Sequence, residues 1–226
     1  MKRKILNSVF VFSMILIMIL PAAVCAESTP SSWASEEVEK AKDDGLVTES
    51  IMRNYGADIT REQFCEIAVK VYEKISGKSA EAGGIYFSDT NNSEILKAAN
   101  LGIVTGYGGG FHPNELITRE QIAAMLVRAI EAAAVPEDNI YKNNYFSDSD
   151  EISDWASSSV NFAYNSGFMR GTGSNCISPQ ANTTCEQAVL LAYRACQSFG
   201  GSDSAADCSE YIGKWSWENS EPLSMN

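Results

Sequence analysis

Apolar positions along this chain of 226 residues repeat one pattern three times. Each copy opens with apolar residues seven and four positions before a glycine: Val38 and Ala41 before Gly45, Ile95 and Ala98 before Gly102, Val160 and Ala163 before Gly167. An apolar pair follows each glycine directly: Leu46-Val47, Ile103-Val104 and Phe168-Met169. The spacing marks one helix face, and the glycine suits the left-handed position just past a helix end. Trp33 and Trp155 stand twelve residues before the first and third glycines, with Thr90 in the second copy. Later in each copy, apolar or small residues fall at 64, 67, 68, 71, 72 and 75, at 122, 125, 126, 129, 130 and 133, and at 188, 191, 192, 195, 196 and 199. This run of i, i+3, i+4, i+7, i+8, i+11 predicts a long amphipathic helix. Each copy therefore reads helix, loop, helix.

The long helices share a start. The pentapeptide ITREQ occupies 59–63 and 117–121, and a changed copy, TTCEQ, occupies 183–187. Thr60, Thr118 and Thr184 fit the N-cap, with Gln63, Gln121 and Gln187 at N3, the two halves of a capping box. Arg61 and Arg119 then fall at the first helical position. A cation there opposes the helix dipole by about 0.3–1 kcal/mol, so helix stability does not explain the arginines. Two roles do: an anion site at the free N–H groups of a helix start, or a pair with an acidic side chain such as Asp89 or Asp148. The two are compatible.

A helix pair of this size buries too little apolar surface to fold alone. Three pairs sharing one core predict an all-α fold, a compact, pseudo-three-fold helical bundle, with units at 27–80, 81–140 and 141–200. Polar, turn-rich segments join the units, and each leads into Phe-Ser-Asp, at 87–89 and 146–148. Lys2, Arg3 and Lys4 precede an apolar run from Ile5 to Leu20, and Val24-Cys25-Ala26 fits a cleavage site, so residues 1–26 read as a secretory signal peptide. The tail, 201–226, is too short for a domain and is read as flexible. Losing three cations and no acid with the signal moves the formal net charge from −12 to −15. Such a chain does not hold nucleic acid or an anionic membrane by bulk attraction. Any anionic ligand must be met by a few placed cations.

Candidate chemistry is sparse. Cys65, Cys176, Cys185, Cys196 and Cys208 remain after cleavage, an odd number that leaves one thiol free or open to a disulfide-linked partner. Cys65 and Cys196 sit in core slots of their helices. Cys185 lies at a helix N-terminus, which lowers a thiol pKa, or is bridged to Cys176. A bridge to Cys196 is not expected, since eleven residues of helix separate them by about 16 Å. No CxxC is present and His112 is the single histidine, so no zinc site of the usual composition is expected. Neither a metal nor a cofactor is expected. GYGGG at 106–110 lacks the Gly-Lys-Ser/Thr of a phosphate loop. DSDE at 148–151 lacks the glycine and terminal glutamate of a calcium loop. His112 has no nucleophile at a suggestive spacing, so an enzyme is not expected.

The stretch GIVTGYGGGFHPNELITREQIAAMLVRAI at 102–130 resembles the S-layer homology family. That family's unit has a Trp-Ala or Phe-x-Asp start, a helix, a Gly-Ile-Ile/Val-x-Gly turn, a Gly-x-Phe-x-Pro loop and a Thr-Arg helix start. The resemblance runs from residue 32 to about 199. It implies grooves between units that hold an anionic secondary cell-wall polymer, often carrying ketal-linked pyruvate, with the Thr-Arg arginine contributing. The residues it implicates here are Arg61 and Arg119. The further candidates are Asp89 and Asp148, the loop positions Gly106 and Gly171, and Trp33 and Trp155, which start helices in matched places and either pack at the unit junctions or face sugar rings in the grooves. The chain departs from the family twice. VTESIMRNYGAD at 47–58 replaces the glycine-rich loop of the first unit, and Cys185 replaces the third arginine. At most two Arg-bearing grooves are then expected.

The function read from these features is an exported cell-surface protein bound non-covalently to a cell-wall polysaccharide on peptidoglycan. The alternative is a structural or protein-interaction module of the same fold with reduced polymer binding. The replaced loop and Cys185 favour the alternative; Arg61 and Arg119 oppose it.

Overall fold

The computed structural model describes residues 28–135 and 145–200. The export signal read at 1–26, the unit boundary at 140/141 and the tail at 201–226 lie outside the described residues. Within them the chain is all-α, as the apolar spacing predicts. Three long helices, α3 (Arg61–Ser76), α5 (Arg119–Ala132) and α7 (Cys185–Phe199), alternate with three shorter ones, α1 (Ser35–Asp43), α4 (Ser93–Asn100) and α6 (Ser157–Asn165). A single turn, α2 (Glu49–Met52), fills the segment between α1 and α3. Short 3-10 turns at Ser149–Glu151 and Asp154–Ala156 lead into α6.

Each long helix begins where the sequence places it. Thr60, Thr118 and Thr184 accept from the N–H of Gln63, Gln121 and Gln187, whose side chains reach back to the capping threonines. Gly45, Gly102 and Gly167 all have positive φ, 76°, 73° and 80°. In that conformation a Cβ is strained, so the chain leaves each short helix at a glycine. The predicted apolar faces are inside: Phe64, Ile67, Ala68 and Val71 of α3, Ile122, Leu126 and Ala129 of α5, and Ala188, Ala192 and Ala195 of α7 have no exposure. Phe64, Phe111 and Phe168 are also fully buried; each contributes about 1.5–3 kcal/mol.

The order of packing was not legible in the pattern. Each short helix packs on the long helix of a different pair: α4 on α3, α6 on α5, and α1 on α7. The backbone donors at the helix starts follow the same order. Arg61 and Glu62 N–H donate to Glu115 and Pro113; Arg119 and Glu120 to Ala181 and Pro179; Cys185 and Glu186 to Ala57 and Tyr55. The first pair thus bonds the second, the second the third, and the third returns to the first. Three antiparallel bridges, Asp58 with Thr184, Thr60 with Leu116 and Thr118 with Asn182, meet around Ile59, Ile117 and Thr183, none of them exposed.

The glutamate of each start extends the ring. Glu62 accepts from Asn92 before α4, Glu120 from the N–H and hydroxyl of Ser153 before α6, and Glu186 from the N–H and hydroxyl of Ser31 before α1. Thr183 breaks the apolar trio, and its buried hydroxyl has no partner. Replacing it by the isosteric valine removes an unsatisfied polar group. Thr183→Val is expected to raise stability by about 1 kcal/mol, read as a higher urea midpoint at unchanged m-value.

Candidate functional site

Among the described residues Arg61 and Arg119 form no ion pair with an acid. Both are largely buried at the first helical position, and both bond backbone carbonyls of the next pair's loop. Arg61 donates from Nε to Phe111 O at 3.1 Å and from Nη2 to Thr105 O at 3.3 Å. Arg119 repeats this with Ile177 O at 3.0 Å and Arg170 O at 2.9 Å. Among the described residues neither forms an ion pair with Asp89 or Asp148. The expected pairing is therefore corrected. Asp89 instead accepts from the N–H groups of Phe111 and His112 at 2.8 and 2.7 Å, and Asp148 from those of Ile177 and Ser178. Arginine and aspartate grip the same loop residue, one at its carbonyl and the other at its N–H. Those N–H bonds hold the Asp89 carboxyl below its ordinary pKa. Stability from this contact is complete above the unfolded carboxylate pKa, about 3.9, and is lost as pH falls through the lower folded value.

The loop glycines serve the grip. A Cβ on Gly106 would lie 2.6 Å from both the Gly110 carbonyl and the Phe87 ring, and one on Gly171 3.0 Å from the Cys176 carbonyl. The guanidinium of Arg61 also lies 4.6 Å from the centroid of the Phe111 ring and 5.8 Å from that of Tyr107, where the π faces favour a cation.

Neutral carbonyls bond a guanidinium without cancelling its charge, and arginine stays protonated in proteins. That charge borders a narrow cleft of about 20 Å³. Its wall runs from Arg61 through Ile103, Val104 and Thr105 to Gln121, Ala124, Met125 and Arg128 of α5, with Trp155 closing one side. Arg128 was not singled out by the sequence reading. It donates to Ile103 O at 3.3 Å, and burial pushes its pKa down while Glu131 pulls it up. A signal existed: Lys70, Arg128 and Arg194 recur nine residues after the first position of each long helix. The two predicted tryptophans part company. Trp155 joins Arg61 in the cleft, whereas Trp33 is 61% exposed and is not part of it. Burial lowers the pKa of Arg119, which that cleft does not include.

Cys65 and Cys196 are buried in the core slots expected of them, whereas the expectations for Cys185 fail. Cys65, Cys176, Cys185 and Cys196 are free thiols, so the Cys176–Cys185 bridge does not form and a disulfide-linked partner is not supported. Cys185 was expected to have a lowered pKa. Only 1% exposed and near Asp58 and Glu186, it is pushed up to about 11, because desolvation outweighs the helix-start N–H. Burial also raises Cys65, and brings Cys196 to about 12.

Residues 87–123 and 145–189 match the S-layer homology domain. The chain carries S-layer homology domains. These are binding modules for cell-wall polymers rather than catalytic domains, and they indicate a cell-surface location. Both matched segments hold a Phe-Ser-Asp start, a glycine-rich loop and a capped long-helix start. The first helix pair lies outside them, where α2 occupies the place of that loop. The chain is also similar to three longer proteins: an amylopullulanase of Thermoanaerobacterium thermosulfurigenes, 28% identical over 72% of this chain; exoglucanase XynX of Acetivibrio thermocellus, 28% over 77%; and an endoglucanase of Bacillus sp. (strain KSM-635), 32% over 71%. The aligned parts are 9%, 16% and 17% of those proteins, so the chain spans less than a fifth of each. No activity in their names passes to this chain on that basis.

In the native protein, Cys176 is expected to react with a disulfide reagent at pH 8 at least tenfold faster than Cys65, Cys185 or Cys196. Peptide mapping after a timed pulse checks this, and a fast Cys185 would contradict its burial.

Proposed function

We propose that this chain anchors itself non-covalently to an acidic secondary polymer of the cell wall, with the cleft at Arg61 as the seat of one acidic sugar. The observation that carries the reading is the pairing of two guanidiniums, Arg61 and Arg128, with a tryptophan in one cleft of a chain whose formal net charge is −12. The arginines attract and orient a carboxylate. An indole face packs on the apolar face of a sugar ring, and Thr105 and Gln121 supply polar groups for hydroxyls. A ketal-linked pyruvate is a carboxylate of suitable reach. The chain acts as three units arranged about Ile59, Ile117 and Thr183, is exported by its N-terminal signal, and works without a catalytic site of its own.

A protein-interaction role with reduced polymer binding is the second reading. It is favoured by the replaced first loop and by Cys185 in place of arginine.

The deciding experiment is sedimentation of residues 27–226 with peptidoglycan sacculi, intact or acid-stripped of their secondary polymer. Binding to intact sacculi alone is expected. It should weaken as salt is raised from 50 to 500 mM, because the contact is charge-led. Equal binding to both preparations, or none to either by folded protein, rejects the polymer reading and leaves the protein-interaction one.

A further inference from the structure

The cleft at Arg61 has two counterparts, fixed by the shared backbone ring. In the second, Arg119 stands for Arg61, Leu190 for Ala124, Arg194 for Arg128 and Trp33 for Trp155. In the third, those places are held by Cys185, Glu66, Lys70 and Thr90. The substitutions do not leave three equivalent sites.

In the second, the floor is filled. Leu190 has three more heavy atoms than Ala124, and the two positions are equally buried at 3% exposure, so the difference is one of side-chain size. Arg194 is neutralised across the α1–α7 contact by a two-pronged pair with Glu37, at 2.7 and 3.0 Å. Its tryptophan, Trp33, stands out in solvent. In the third, the helix-start cation is missing, and the floor position is an acid, Glu66, which accepts a hydrogen bond from Ser50. A carboxylate ligand meets one unpaired cation, Arg119, in the second, where Arg194 is already paired with Glu37, and it meets Lys70 together with the like charge of Glu66 in the third.

We infer that the chain holds its polymer through one cleft, that of Arg61, with the ligand carboxylate shared between Arg61 and Arg128 and the ring stacked on Trp155, while Arg119 serves its loop alone. This rests on the polymer reading above. Ala124 is the specificity-determining position, because its small side chain keeps the floor open. Trp33 leaves the binding set.

Binding isotherms on intact sacculi test it, using the chain from residue 27 to 226 and four variants whose folding is checked by thermal unfolding. Ala124→Leu copies the second cleft's floor without changing charge. It is expected to weaken binding at least tenfold, as are Arg128→Gln and Trp155→Ala. Trp33→Ala is expected to stay within twofold of the parent. Parent-like binding by Ala124→Leu or Arg128→Gln, or equal losses in Trp33→Ala and Trp155→Ala, would overturn the single-cleft assignment while leaving polymer binding intact. If Ala124→Leu does not fold, Arg128→Gln and the tryptophan pair carry the decision. No binding by the parent chain would reject the polymer reading, and this assignment with it.

Discussion

The six backbone N–H groups at the starts of the three long helices hold the rest in place. A helix start has N–H groups with no partner inside its own helix, and they need partners when buried. Here the first two of each helix are satisfied by carbonyls of the next pair, and the sequence of pairs closes on itself. No helix pair is complete alone, because its loop carbonyls and its helix-start donors face different neighbours. The same closure explains why each short helix packs against the long helix of a different pair, and why Ile59, Ile117 and Thr183 meet in the middle.

The repeated pentapeptide follows from this closure, residue by residue. Isoleucine fills the centre, threonine and glutamine cap their own helix, glutamate holds the approach to the next short helix, and arginine holds the next loop. The two departures from the repeat are then one departure. An arginine at 185 would face the first loop, where α2 replaces the glycine-rich turn that offers carbonyls to Arg61 and Arg119 elsewhere. The position holds a small buried thiol, and its ring bond is made by its backbone, Cys185 N–H to Ala57 O. In the proposed function Arg61 would serve both structure and binding. A group fixed by two carbonyls and two aromatic faces is already ordered when a ligand arrives, which reduces the entropy of fixing it on binding.

Local features were readable because they depend on nearest neighbours. The helix faces, the capping boxes and the left-handed glycines all follow from spacing along one segment. What depended on the order of packing was not readable. Asp89 and Asp148 were identified as important but assigned to the arginine side chains. They act instead on the N–H of the residue whose carbonyl the arginine holds, a geometry no spacing encodes. Trp33 and Trp155 match in sequence but differ in setting: Trp33 is largely exposed, whereas Trp155 packs against the core and lines the cleft. Arg128 was not singled out, although its period with Lys70 and Arg194 was visible. For Cys185 the helix-start effect was weighed without burial, which is the larger influence.

The most direct test of the closed ring is native-state amide hydrogen exchange at Arg61, Glu62, Arg119, Glu120, Cys185 and Glu186. If the three pairs stand or fall together, all six amides open with one free energy, that of global unfolding, matching the slowest core amides of α3, α5 and α7. If the pairs are independent, the Cys185 and Glu186 amides, which lack an arginine clamp, will exchange through a separate opening of lower free energy while the other four stay protected. That result would contradict the ring as the interaction on which the structure depends.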